Sequence, residues 1–154
     1  MATRANVGFA TAQADAFRAR YANCVIAVYS GSQPTTAALA ETVNGGVLLG
    51  YITESGGTFV SGSPDNGLNF DAAVDGVVSK AAAETWVLTP VASGTPGYAR
   101  CYVNTVVTGA NEDADRFDMS CGVGVGQLRF AYSTVQAGVA VPVNTFTATF
   151  PTED

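Results

Sequence analysis

The chain has 154 residues, of which 13% are charged and 47% hydrophobic, and 13 acidic against 7 basic side chains give a net charge of −6. This length fits one domain with a core of its own. The acidic balance argues against nucleic-acid binding, which needs a basic surface to neutralise phosphates. No apolar run approaches the length that spans a bilayer and no secretory signal core is present, so we expect no membrane partner.

The first predicted element is a helix over residues 5–22. Its Ala-rich sequence favours a helix, and its apolar residues recur at helical spacing. An isolated helix of this length is not stable, so this face must pack on the body of the domain or on an adjacent subunit. We therefore predict an attachment element at residues 1–23, with Phe9, Phe17 and Tyr21 as candidate subunit contacts.

After Cys24 the apolar residues alternate with period two, which is typical of half-buried antiparallel strands. Gly, Pro, Asn and Asp separate the strands, and no second helix of useful length interrupts them. The fold predicted for residues 24–154 is therefore an antiparallel β-sandwich of jelly-roll type, giving an all-β protein with one N-terminal α-helix. The irregular segment 54–75 is predicted as a long loop or short irregular strands. The predicted strands cover residues 25–30, 47–53, 85–92, 98–104, 116–121, 127–132 and 143–150.

The residues that usually carry catalysis are scarce. The sequence contains no histidine, which excludes Ser-His-Asp and Cys-His sites. The run "CGVGVGQL" joins two predicted strands, so its glycines indicate a bend rather than a dinucleotide site. An acidic turn offers oxygen ligands for calcium, although its spacing lacks the calcium-loop pattern. We expect no catalytic residue, no cofactor and no metal; the acidic turn comprises Glu112, Asp113, Asp115 and Asp118.

Three cysteines remain, and none has the spacing of a zinc site. If residues 98–104 and 116–121 form a hairpin centred on Asn111, Cys101 and Cys121 lie opposite each other on the apolar face. They are then either two buried thiols that act as small hydrophobes or a candidate disulfide formed outside the cell. Cys24 has no obvious internal partner, so it is predicted to be free or to bond to another chain.

The runs "IAVYSGSQP" and "GGVLLGYIT" resemble a recurrent block of small tailed-bacteriophage virion proteins. The similarity continues through "SGTPGYARCYV" and "RFDMSCGVGVGQLRFAYSTVQAGVAVPVNTFTATFP", and it covers nearly the whole chain. Cys101 and Cys121 stand where that family has aliphatic residues, and segment 54–75 has no counterpart in it. The resemblance implies a structural component of the particle, on the capsid surface or at the neck.

The resemblance leads us to expect a non-enzymatic capsid decoration (cement) protein, assembled in the host cytoplasm and located in the virion. Its partners would be other virion proteins, either the major capsid protein or neck proteins, and further copies of itself in a homo-oligomer. One alternative is a neck or collar component. A second alternative is a module that binds carbohydrate or the host surface, with Trp86, Tyr98 and Tyr102 as a stacking platform.

Overall fold

A computed structural model describes residues 5–151 as one helix followed by eight strands. The helix begins after Asn6, whose side-chain oxygen accepts a hydrogen bond from the backbone N–H of Phe9 (2.9 Å) and so caps the first turn. The elements are α1 (Val7–Arg20), β1 (Val25–Tyr29), β2 (Leu48–Glu54), β3 (Val77–Ser79), β4 (Trp86–Pro90), β5 (Tyr98–Tyr102), β6 (Arg116–Val123), β7 (Leu128–Phe130) and β8 (Val141–Thr149).

The sheet closes on itself. Its strand order is β3-β8-β4-β2-β1-β5-β6-β7, and β7 also pairs with β8, so seven strands form a barrel to which β3 is added. The all-β class with one N-terminal helix is thereby confirmed, but the predicted sandwich is corrected to a barrel. Closure removes the two free edges that an open sheet would have to protect.

All seven predicted strands and the predicted helix are present, with boundaries that differ by a few residues. The prediction missed β3, which has only three residues and pairs with the last strand. Segment 54–75 is irregular, as predicted. The pairing of β6 with β7 is parallel rather than antiparallel, and the glycine-rich connection turns through positive φ at Gly124 and Gly126. This bend is the one that the sequence indicated.

The barrel interior is filled by aromatic and aliphatic side chains, and a second apolar cluster lies outside the wall. Every residue of β1 and β5 is buried on both faces. The inner faces contribute to the main core, whereas Val25, Tyr29 and Tyr98 belong to the outer cluster. Strands of this kind need a covering layer on the outside, and the connections β1–β2 and β5–β6 provide it.

The helix closes one end of the barrel, which we call the helix end. Ala10 and Ala14 of α1 are fully buried, and the side chain of Thr11 accepts a hydrogen bond from the backbone N–H of Gly76 (3.0 Å). The Phe17 ring lies within 4.9–5.6 Å, centroid to centroid, of the rings of Tyr21, Phe70, Phe117 and Phe150. The helix end also carries segment 55–85 and the β5–β6 connection. The connections β1–β2, β4–β5 and β7–β8 leave the opposite end.

Candidate functional site

The most concentrated polar chemistry lies in a buried cluster on the outer wall of the barrel. Arg100 of β5 is fully buried, Arg116 of β6 is 7% exposed, and Glu41 of the β1–β2 connection is 6% exposed. Asp118 of β6 completes the cluster opposite Arg100, its cross-strand partner in the β5–β6 register. We call these four residues the latch. Their two positive and two negative charges balance.

Glu41 is the centre of the latch. Its Oε1 accepts hydrogen bonds from Nη1 of Arg100 (3.0 Å) and from the hydroxyl of Tyr102 (3.0 Å), and it lies 3.3 Å from Nη1 of Arg116. Its Oε2 accepts from the backbone N–H of Gly109 (2.9 Å). Burial by itself would raise the pKa of Glu41, but these hydrogen bonds and the charge of Arg100 outweigh it and hold the pKa below its usual value. The carboxylate is therefore ionised at neutral pH.

The two arginines connect the barrel wall to both covering loops. Arg116 donates to the carbonyl oxygens of Ala37 (2.8 Å) in the β1–β2 connection and of Val107 (2.6 Å) and Gly109 (2.7 Å) in the β5–β6 connection. Arg100 donates to the carbonyl oxygen of Leu39 (2.9 Å). A planar guanidinium suits this task because its donors point in fixed directions toward several acceptors. The latch thus fixes two long connections against the sheet.

Arg100 is held by its carboxylate neighbours. Burial alone would lower its pKa, and the hydrogen bonds and charge of Asp118 outweigh burial and raise the pKa instead. Three tyrosines border the latch: Tyr29, Tyr98 and Tyr102. Burial raises the pKa of Tyr29 to about 12, and burial together with the hydrogen bond between the Tyr29 and Tyr102 hydroxyls (3.1 Å) raises the pKa of Tyr102. The tyrosines are therefore neutral phenols that bind internal partners.

The latch has the chemistry of a structural element. Its charges are paired, its remaining donors bind backbone carbonyls, and its side chains lie out of solvent, so none is free to meet a substrate. Sequence reasoning missed it because alternation in β5 placed Arg100 on the face taken to be exposed. The opposite charges of Arg100 and Asp118 on neighbouring strands could have indicated the ion pair. A hairpin centred on Asn111, however, does not place these two residues opposite each other.

The register also corrects the cysteine prediction. Cys101 pairs with Phe117, so the β5–β6 hairpin is centred on Gly109 rather than on Asn111. Cys121 then lies four residues further along β6, roughly 13 Å from the position opposite Cys101. That separation exceeds the roughly 7 Å between Cα atoms that a disulfide can bridge. The structure does not bring Cys101 and Cys121 together, and both are free thiols.

Cys24 has an internal neighbour, contrary to the prediction. It is fully buried in the main core, as is Cys101, whose Sγ lies 3.9 Å from the carbonyl oxygen of Tyr102. Burial raises the pKa of the Cys101 thiol well above its usual value, and the Cys24 thiol adds to this rise. The Cys24 thiol has no solvent exposure in this fold, so it cannot reach another chain unless the barrel opens.

The predicted subunit contacts of the helix divide into two kinds. Phe17 packs in the core and Tyr21 is 7% exposed, with its hydroxyl donating to Asp115 (3.0 Å), so both serve the interior. Phe9 is 52% exposed, and its role as a subunit contact stays a prediction. The helix is therefore packed on the barrel as part of the same body, and its role as an attachment element stays a prediction.

The aromatic platform of the carbohydrate-binding alternative is buried. Trp86 is 1% exposed, and Tyr98 and Tyr102 are fully buried, so none can stack on a sugar. The indole N–H of Trp86 donates to Glu84 (2.8 Å), and the hydroxyl of Tyr98 donates to the carbonyl oxygen of Glu41 (2.9 Å). These contacts explain why aromatic residues with a polar tip occupy these interior positions.

Two of the clefts in the surface are lined by uncharged residues. One, of about 280 Å³, lies at the end opposite the helix and is lined by Tyr132, Ser133, Thr134, Gln136, Val139 and Val141. Another, of about 240 Å³, lies beside β2 and β4, with Tyr51 and Phe59 among its lining residues. Within residues 5–151, no group of three or more Cys, Asp or Glu side chains is arranged to hold a metal ion.

In the described part of the chain, the single helix is too short and too polar to cross a membrane. Comparisons with protein-family models, with curated proteins and with solved structures gave no significant match. The resemblance to small tailed-phage virion proteins therefore stays a prediction.

Proposed function

We propose that this chain is a non-enzymatic structural protein of a tailed-phage particle, acting as a capsid decoration protein that contacts the major capsid protein. The observation that carries the proposal is the latch. Its charged side chains, the groups that an enzyme would direct at a substrate, are instead paired with one another and with the backbone of two loops. A rigid outer wall is what a repeated lattice contact requires, because ordering mobile loops on binding would weaken it.

The sequence resemblance supports the same proposal. The strand that ends in Ser30-Gly31-Ser32-Gln33-Pro34 belongs to the resembling block. Gly31 adopts a φ of +79°, and an added Cβ there would lie 2.7 Å from the carbonyl oxygen of Asn44. The turn therefore serves close packing of the β1–β2 connection, and its residues need no reaction to explain them.

The proposal is tested by quantitative mass spectrometry of density-purified particles. A decoration protein is expected at a copy number that scales with the major capsid protein, and particles lacking the gene should release DNA at lower temperature. A small fixed copy number would place the chain at the neck instead. Absence from purified particles would refute a virion role.

A further inference from the structure

The chain contains two Asn-Gly pairs, Asn44-Gly45 and Asn66-Gly67. The first lies in the connection between β1 and β2, and the second lies in the connection between β2 and β3. An asparagine that precedes glycine readily loses its side-chain amide, because glycine has no side chain to hinder attack by its own backbone nitrogen. The two pairs have different surroundings in the fold, so we compare them as sites of this reaction.

The Asn66-Gly67 pair is enclosed by neighbouring backbone. Although Asn66 is exposed, its side-chain amide donates to the carbonyl oxygen of Thr58 (2.8 Å). Gly57 packs so closely on this side chain that an added Cβ on Gly57 would lie 2.4 Å from Cγ of Asn66. Gly67 is buried, and an added Cβ there would lie 2.5 Å from the carbonyl oxygen of Asn23. The Asn66 amide therefore meets the nitrogen of Gly67 only after this segment opens.

The Asn44-Gly45 pair is open to solvent. Both residues are exposed in the turn 42–45, and an added Cβ on Gly45 would meet no atom within 4 Å. The Asn44 amide donates to the carbonyl oxygen of Gln33 (3.2 Å), and the backbone N–H of Gly45 donates to that of Thr42 (3.1 Å). Both hydrogen bonds lie at the surface, where water can replace them at little cost. The Asn44 side chain is therefore free to turn toward the nitrogen of Gly45.

We propose that Asn44 is a site of spontaneous deamidation in the folded protein and that the fold protects Asn66. The backbone nitrogen of Gly45 bonds to Cγ of Asn44, and the bond from Cγ to Nδ2 breaks. The side-chain nitrogen leaves as ammonia, taking the proton of the Gly45 nitrogen. Water then opens the succinimide ring at either of its carbonyl carbons. The net reaction converts an amide and water into a carboxylate and ammonium, without oxidation or reduction.

The two ring openings have different consequences. Opening at Cγ gives an aspartate, whose added charge at an exposed position has little effect on stability. Opening at the backbone carbon gives an isoaspartate, in which the main chain runs through Cγ and is longer by about 1.5 Å. The backbone here already packs on Gly31, where an added Cβ would lie 2.7 Å from the carbonyl oxygen of Asn44 and 3.0 Å from the carbonyl carbon of Gly45. A longer main chain therefore displaces this contact.

The following residue joins the site to the latch. Gly46 is buried, and an added Cβ there would lie 2.0 Å from the carbonyl oxygen of Glu41. Displacement of the backbone at Asn44 therefore acts on the segment that carries the central carboxylate of the latch. Isoaspartate formation should loosen the β1–β2 connection, and the protein should lose stability as it ages. This inference goes beyond the proposed function and does not depend on it.

Ageing of the whole purified chain tests the site. The folded protein is incubated at mildly alkaline pH and body temperature, and mass spectrometry of the two Asn-Gly peptides follows deamidation at each site. We expect Asn44 to react at least about tenfold faster than Asn66, which reacts only from locally opened molecules. In urea the two sites should react at similar rates, because only the fold distinguishes them. Similar rates in the folded protein would overturn the proposal, and so would an Asn44 that reacts in urea but not in the folded chain.

Three variants test the link to the latch. Asn44→Gln removes the reactive pair, so its urea midpoint should stay constant on ageing while the midpoint of the parent falls. Asn66→Gln is the matched control and should lose as much on ageing as the parent does. Freshly prepared Asn44→Asp, which carries the charge on an unaltered main chain, should match the fresh parent. A parent whose midpoint stays constant after Asn44 has reacted would overturn the link to the latch. An Asn44→Asp midpoint as low as that of the aged parent would overturn the assignment of the loss to the longer main chain.

Discussion

The substitution Glu41→Gln tests whether the latch stabilises the fold. Glutamine has nearly the same shape as glutamate, so packing is preserved while the charge is lost. The new amide also points donors at a site where Gly109, Tyr102 and Arg100 already donate. Arg100 keeps Asp118 as a partner, whereas Arg116 loses the carboxylate that Glu41 provides and keeps its backbone carbonyls.

Removing one partner of a buried ion pair typically costs 3–5 kcal/mol, because the remaining charge is left in a poorly solvated site. We expect a loss of about 3 kcal/mol in the free energy of unfolding. Against a total of roughly 5–15 kcal/mol, such a loss is large. For a chain of this length it should lower the melting temperature by about 10 °C.

Urea denaturation measures the loss as a lower midpoint with an unchanged slope. The matched control is Glu112→Gln, which removes the same charge from an exposed position in the β5–β6 connection. It should change stability by less than about 0.5 kcal/mol. A Glu41→Gln loss as small as that of the control would refute the idea that the latch holds the loops on the barrel.

The difference in stability between the parent and Glu41→Gln should depend on pH. The pKa of Glu41 in the folded protein lies below its usual value of 4.5, so the ionised carboxylate adds stability above that value. The added stability is lost as the pH falls through the lowered pKa. The difference in stability between the parent and Glu41→Gln should therefore be constant near neutrality and shrink below pH 4.5. A difference that grew on acidification would contradict the assignment.

Three further predictions rest on packing. Phe17→Ala should destabilise the fold by about 3–5 kcal/mol, because Phe17 fills the helix end among four aromatic rings. The exposed control Phe9→Ala should cost under about 0.5 kcal/mol. Thermal melts that rank the two variants otherwise would show that the helix is dispensable. Gly97→Ala should destabilise the fold markedly, because the added Cβ would lie 1.8 Å from the carbonyl oxygen of Gly31. Gly8→Ala, on the open face of α1, should stabilise the fold by about 0.5–1 kcal/mol. Equal urea midpoints for the two variants would refute both expectations. Alkylation of the native protein at neutral pH should leave the buried thiols of Cys24 and Cys101 unmodified. It should modify Cys121 only slowly, since burial raises the pKa of Cys121 to about 12. Rapid labelling of all three thiols in the native protein would disprove the core packing.

Several features of the fold could be read from local sequence. Period-two alternation located the seven main strands, including β8, in which Phe146 and Ala148 face inward and Thr145 and Thr147 face outward. The helix has two local signals, the capping residue Asn6 and an Ala-rich sequence. These features depend on neighbours a few residues apart, so a single sequence contains the information that specifies them.

Other features depend on which distant segments meet, and no local pattern specifies that. Closure into a barrel requires β7 to pair with β8, and this pairing depends on the stagger of the whole sheet. A shift of the hairpin centre from Asn111 to Gly109 separates Cys101 from Cys121 and aligns Arg100 with Asp118.

The sequence by itself determined seven of the eight strands, the helix, the low charge and the absence of histidine, because each is a property of composition or short-range spacing. Only the tertiary structure decided that Arg100, Tyr98 and Tyr102 are buried. Alternation in β5 assigns them to the outer face, and an outer face is solvated unless another segment covers it. The covering segment carries Glu41, 59 residues before Arg100, and its carboxylate is what makes burial of the arginine favourable.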